Sequence, residues 1–198
     1  MTSVCASLET ARLRLRPFER NDIDAVCAYH TLPSVQRYLL NRTRDRGEVA
    51  SVLDLMSRQV SLQRPGDVLS MAIMRRSDRQ IIGQIVLIWH DATAGQGEIR
   101  FALHPAFSGQ GYLTEAISRM LDIAFGQYRI HRILVRCDGR NHHSIALLQQ
   151  MGMRLEAHFR EHALFQGEWD EELHFAILDR EWRQSSKVRE LPVRHRVA

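Results

Sequence analysis

The stretch EIRFALHPAFSGQGYLTEA, residues 98–116, decides how this chain is read. Glu98 to Leu103 has the make-up of a strand, and His104-Pro105 ends it. A loop with two glycines one residue apart follows, Ser108-Gly109-Gln110-Gly111. A helix then opens, with Leu113, Ala116, Ile117, Met120, Leu121, Ala124 and Phe125 on one stripe and Gly126 at its end. The first-turn N–H groups of a helix have no intrahelical partner, and the helix dipole adds about half a positive charge there. Two glycines let main-chain amides turn toward one point and approach an anion with no Cβ in the way. The loop is therefore either a plain tight turn or a seat for a phosphate or diphosphate. Two familiar phosphate loops do not fit. No lysine follows the glycines, as a P-loop requires, and Thr114 stands where a dinucleotide fingerprint needs its third glycine.

Upstream of the loop, residues 11–17 (ARLRLRP) alternate leucine with arginine, the period of a half-buried strand. Asn21 reads as the N-cap of a short helix whose inner stripe is Ile23, Val26 and Cys27. A second helix, from Glu48 to Val60, places Val49, Val52, Leu53, Met56 and Val60 on one face, and Arg-Pro-Gly at 64–66 stops it. The runs 68–74, 81–89 and 98–103, joined by short polar turns, predict an antiparallel meander. Downstream come a strand at 132–137, a helix at 143–151 capped by Asn141 and stopped by Gly152, and strands at 153–165 and 171–178 joined at Gln166-Gly167. The order is mixed α/β (α+β): antiparallel strands, then a βαβ crossover. After Trp182 periodicity fades into a basic C-terminal tail, 183–198.

The chain has 198 residues, which points to one domain. At 44% hydrophobic it is no disordered chain, and no apolar run approaches the ~20 residues of a membrane span. The N-terminus carries neither a basic nor an apolar leader region, and Cys5, Cys27 and Cys137 are odd in number and far apart. A reducing, cytoplasmic setting is expected. Of the 27 basic residues 26 are arginines, yet 23 acidic residues are interspersed with them, so a nucleic-acid surface is only a weak alternative. His158 and His162 lie four apart in a strand, so about 13 Å separates their Cα atoms, too far to share a zinc ion. No metal is expected.

Four stretches carry a resemblance: LETARLRLRPFERND, EIRFALHPAFSGQGYLTEA, RNHHSIALLQQMGM and FREHALFQGEWDEELHFAILDREW. In them the chain resembles the GNAT acyltransferases, and among these the RimJ/RimL-type ribosomal-protein N-acetyltransferases. The resemblance implies one GNAT-like domain over 8–182, with a central, mixed, mostly antiparallel sheet flanked by helices, and a homodimer paired through its C-terminal strands. It implies acetyl-CoA as co-substrate and an amine as acceptor: a protein N-terminus, a polyamine or amino acid, or an aminoglycoside-like amine. The diphosphate would lie against Ser108, Gly109, Gln110, Gly111, Tyr112, Leu113 and Thr114. Ser108 lacks the long side chain of the family's loop, and Leu113 replaces its last small residue. Because main-chain N–H groups hold the anion, binding is still expected. A main-chain N–H between Phe101, Ala102 and Leu103 would face the carbonyl oxygen. Asn141 would hold the pantetheine arm, and Ser144 would lie near the sulfur.

Asn141 and Ser144 also read simply as the N-cap and N3 of their helix, and both readings can hold together. Attack of an amine on a thioester needs a neutral nucleophile, which is closer for an α-amine (pKa about 8) than for a lysine (about 10.4). Glu98 is the first candidate for general base, through a water, against the plain reading of a strand-edge carboxylate. Glu161 is the second, as the resemblance implies an acidic residue in the matching Arg-Glu pair. Acceptor choice is expected in residues 30–66 and in the hairpin near 165–170. The reading from another class is a non-catalytic acyl-CoA-binding or protein-interaction module on the same fold.

Overall fold

In the computed structural model, which describes residues 7–36, 45–165 and 167–190, Leu13 and Leu15 are fully buried while Arg12, Arg14 and Arg16 between them are not. They lie in β2 (Leu13–Pro17), which pairs antiparallel with a two-residue edge strand, β1 (Leu8–Glu9), and with β3 (Val68–Arg75). The predicted meander is β3, β4 (Ile81–Asp91) and β5 (Gln96–Leu103). In β3, Leu69, Met71 and Ile73 face one apolar cluster and Ala72 and Met74 the other, which is why this strand reads as an unbroken apolar run.

Helix α4 (Tyr112–Gly126) lies on the first face, with Ala116, Ile117, Met120, Leu121 and Ala124 fully buried. The second face is covered by α1 (Ile23–His30) and α3 (Arg46–Arg58), with a one-turn α2 (Pro33–Gln36) beside them. Beyond α4 the chain returns as β6 (Arg132–Asp138), parallel to β5, as a crossover helix allows. Then come α5 (His142–Gln150), the long hairpin β7 (Arg154–Phe165) and β8 (Glu168–Leu178), and α6 (Asp179–Glu190). The sheet order is β1-β2-β3-β4-β5-β6-β8-β7, and β5–β6 is its one parallel pairing among the described strands. No helix among the described residues is long and apolar enough to cross a membrane.

Three local expectations are corrected. Asp22, not Asn21, stands at the N-cap of α1, after a 3-10 turn at Arg20–Asp22. Its buried carboxylate accepts both Nη groups of Arg16 (2.8 and 2.7 Å) and the Glu19 N–H (2.8 Å), so a tertiary ion pair fixes where the helix starts. Helix α3 starts earlier, at an Asp45 cap that accepts the Glu48 N–H, and ends before Val60, which bridges to Leu69 instead. The stretch after Trp182 continues α6 to Glu190. Trp182 Nε1–H donates to Asp122 (2.9 Å) and Arg183 pairs with Asp179 one turn back (2.5 Å), anchoring a helix that carries few apolar residues. Residues 191–198 of the expected tail, Gln166 of the expected turn and 37–44 of the expected acceptor segment lie outside the described residues.

Candidate active site

Strands β5 and β6 pair over only three residues each, Gln96–Glu98 against Arg132–Leu134. Beyond them β5 stays with β4 while β6 stays with β8, so the sheet opens between Ile99–Leu103 and Val135–Asp138. At the end of the β4–β5 ladder the His104 N–H donates to the Ile82 carbonyl (2.8 Å). In an antiparallel ladder both main-chain groups of a residue point to the same neighbour and alternate along the strand. Counting back, Ala102 faces β4, whereas the N–H groups of Phe101 and Leu103 face the opening. Of the three residues expected to present an amide there, Ala102 is thus excluded by its register.

Two hollows meet at this opening. The larger, about 780 Å³, runs from Phe101 along the loop to the first turn of α4 and across to α5. Every residue expected to touch the coenzyme lines it except Gln110, whose side chain turns back to the Ala106 carbonyl (3.1 Å). The smaller, about 370 Å³, lies under α1 and α3 and is lined by Gln84, Glu98, Arg100, Arg136, Cys137 and the β8 residues Asp170 to Glu172, among others. Phe101, Asn141 and Ser144 line both. The Asn141 side-chain oxygen accepts the Ser144 N–H (3.1 Å), so the cap expected from sequence is present. Both residues stand where the hollows join.

At the loop, Gly109 (φ +74°) and Gly111 (φ +77°) take left-handed conformations open to glycine. Among the described residues, the first amide to find a main-chain acceptor is that of Glu115, bonded to the Gly111 carbonyl (3.2 Å); those of Gly109 to Thr114 have none. Successive unbonded amides at a helix start form a concave seat for an anion.

Glu98 is almost wholly buried. Its Oε1 accepts from Arg100 Nε (2.6 Å) and from Arg136 Nε (3.1 Å) and Nη2 (3.0 Å). Its Oε2 lies 2.9 Å from His90 Nε2 and accepts from Arg100 and Arg136 as well (3.3 and 3.2 Å). Burial alone would raise this carboxyl, but hydrogen bonds from Arg100 and His90 and the charges of both guanidiniums outweigh it and hold it below the ordinary glutamate value. Both oxygens of the carboxylate expected to act as general base are thus engaged by Arg100, Arg136 and His90. Glu161 lines neither hollow: it sits exposed, at φ +52°, where the β7–β8 register shifts.

Sequence reasoning missed Arg100, Arg136 and His90. The spacing of Glu98 and Arg100 on one strand face was visible, but Arg136 and His90 come from neighbouring strands and meet Glu98 only through the topology. Cys137, also in the smaller hollow, has its thiol pushed up to about 12 by burial and by Asp138 and Glu172. His158 and His162 pair with Glu171 (3.1 Å) and Asp170 (3.0 Å) on β8. Among the described residues no three His, Cys, Asp or Glu side chains group as metal ligands would.

The acetyltransferase (GNAT) domain family matches residues 12–154. The uncharacterised N-acetyltransferase YnaD of Bacillus subtilis (strain 168) is 26% identical over 175 residues, 88% of this chain and 98% of that protein. The crystal structure of a GNAT-family acetyltransferase from Bacillus anthracis superposes with a TM-score of 0.78 at 24% identity, covering 89% of this chain and all of that one. A putative ribosomal-protein-serine acetyltransferase from Vibrio cholerae shares the fold with a TM-score of 0.73 at 15% identity, over 89% of this chain and 99% of its own. With its model matching well over half of the chain, the family is established: the chain belongs to the GNAT N-acetyltransferases, whose co-substrate is acetyl-CoA.

Proposed function

We propose that the protein moves the acetyl group of acetyl-CoA onto a primary amine by direct attack on the thioester. The diphosphate lies on the amides of Gly109 to Thr114, the pantetheine passes Asn141, and the thioester lies near Ser144 with its carbonyl oxygen toward the N–H of Phe101 or Leu103. The observation carrying this reading is the run of unbonded amides opening into a hollow that joins a second one at Phe101, Asn141 and Ser144. A donor amide aimed at the developing oxyanion stabilises the transition state more than the ground state.

For the acceptor we propose a protein N-terminal α-amine, in keeping with the RimJ/RimL resemblance. With Glu98 occupied by its arginines, an amine of pKa about 8, which sheds its proton to water near neutral pH, suits the site better than a lysine. The homodimer reading is supported by Leu155, Phe159, Leu164 and Trp169, large apolar side chains exposed on the β7–β8 hairpin at the sheet edge. Free thiols at Cys27 and Cys137 accord with a cytoplasmic setting.

Calorimetric titration with acetyl-CoA, followed by a thiol-release assay on N-terminal peptides, polyamines and aminoglycosides, tests the reading. Binding followed by release with peptides is expected; tight binding without release on any amine would instead describe a binding module. A thiol held near 12 stays protonated at neutral pH and is no nucleophile. Cys137→Ser is therefore expected to keep turnover within about twofold, and acetyl-CoA alone should leave no acetyl group on the wild-type protein by mass spectrometry. An acetylated Cys137 would overturn direct attack.

A further inference from the structure

The glycine loop is held from outside by a residue far away in sequence. Arg12, between β1 and β2, reaches the first turn of α4. Its Nε–H donates to Glu115 Oε2 (2.7 Å), its main-chain N–H to Glu115 Oε1 (2.7 Å), and its Nη1–H to the Gln110 carbonyl (2.9 Å). The guanidinium also lies over the Tyr112 ring, 4.6 Å from its centre. Thr10 completes the Glu115 cluster through its hydroxyl (2.5 Å).

The contact with Gln110 has a geometric consequence. A trans peptide is planar, with C=O and the following N–H pointing in opposite directions. Pinning the Gln110 carbonyl toward Arg12 therefore turns the Gly111 N–H away from Arg12, onto the loop's other side. An anion seat works only if its carbonyls turn outward, and Gln110 is the residue between the two left-handed glycines. The Arg12 charge is already matched by Glu115, so its contribution is orientation, not field.

We propose that Arg12 is a positioning residue for the coenzyme diphosphate: by holding the Gln110–Gly111 peptide it keeps the loop amides turned toward the anion. The proposal rests on the acetyl-CoA reading above and adds to it a residue outside the loop.

The test compares CoA, which carries the diphosphate, with pantetheine, which does not. Calorimetry gives the Kd for CoA and chemical-shift titration that for pantetheine. Wild-type protein binds CoA far more tightly than pantetheine. Arg12→Ala raises the CoA Kd roughly tenfold, the size of one lost charge-assisted hydrogen bond, and leaves the pantetheine Kd within twofold. Arg76→Ala serves as control. Arg76 anchors the same segment through the Thr10 carbonyl (2.7 Å) and Glu9 (3.2 Å), and neither is in the loop, so its CoA Kd stays at the wild-type value. Should Arg12→Ala not fold, Glu115→Gln, which loosens the same fork, shifts the CoA Kd selectively in the same direction. A wild-type protein with no preference for CoA would sink the coenzyme reading itself. A preference kept in full by Arg12→Ala, or lost equally by Arg76→Ala, would overturn the role of Arg12 alone.

Discussion

Replacing Glu98 by alanine will cost about 3 kcal/mol of stability in a denaturant titration, and replacing it by glutamine about 2 kcal/mol. The carboxylate is the one anion within hydrogen-bond reach of both Arg100 and Arg136 among the described residues. Removing it leaves two guanidiniums side by side at the edge of the smaller hollow. They are 37% and 31% exposed, so water screens part of their repulsion, and the loss falls at the lower end of what breaking a buried pair costs. Glutamine keeps one acceptor oxygen, hence the smaller figure.

The sign of the pH dependence follows from the direction of the shift. The folded-state value lies below the ordinary 4.5, so the stabilisation is complete above about 4.5 and is lost as pH falls through the folded value. The gap between wild type and Glu98→Gln should narrow as pH drops below about 4.5. The same shift moves this carboxyl's titration further below neutral pH. Any acid limb of the rate profile between about pH 5 and 8 will therefore persist in Glu98→Gln, reporting the acceptor amine instead. A limb that vanishes in the variant, or a stability loss under about 1 kcal/mol, would mean that the carboxylate is free to take a proton.

What could be read in advance divides along a physical line. Features set by near neighbours in sequence were legible: the 2-residue alternation of Leu13 and Leu15, the apolar stripe of α4, the Asn141 cap with Ser144 three residues on, and the crossover after the meander. Features set by side chains arriving from elsewhere were not. Asn21 and Asp22 are both cap-type residues, and Asp22 takes the position with its side chain engaged not by the helix but by Arg16, folded back from β2, and the Glu19 N–H. Helix α6 is hard to read because it carries few apolar residues, and the Trp182 bond that anchors it goes to Asp122 on another helix. Glu98 looks like a strand-edge acid until β4 and β6 bring His90 and Arg136 to it. The loop glycines were legible as a candidate anion seat, but Arg12 behind them was hidden in a segment that reads only as a strand.

Valine at Gly109 or Gly111 is expected to weaken acetyl-CoA binding about a hundredfold, the equivalent of two lost charge-assisted hydrogen bonds of roughly 1.5 kcal/mol each. The two positions reach this loss differently. At Gly111 a new Cβ meets Arg12 Nη2 at 3.4 Å, on top of the left-handed φ, and a β-branched residue pulls the peptide out of that conformation. At Gly109 a Cβ meets nothing within 4 Å, so alanine there costs only about 1 kcal/mol of backbone strain. That open space is where the diphosphate is proposed to lie, so even Gly109→Ala should lose affinity well beyond its loss of stability. Gly66 separates strain from contact. It also has positive φ (+93°) and open space at its Cβ, but it lines neither hollow. Gly66→Ala should therefore lose a similar amount of stability with the acetyl-CoA Kd unchanged. Equal affinity losses at positions 66 and 109 would reduce the loop to a fold element, and an unchanged Kd in Gly109→Val would place the diphosphate elsewhere. Only a selective loss at the two loop glycines matches main-chain amides that close on an anion.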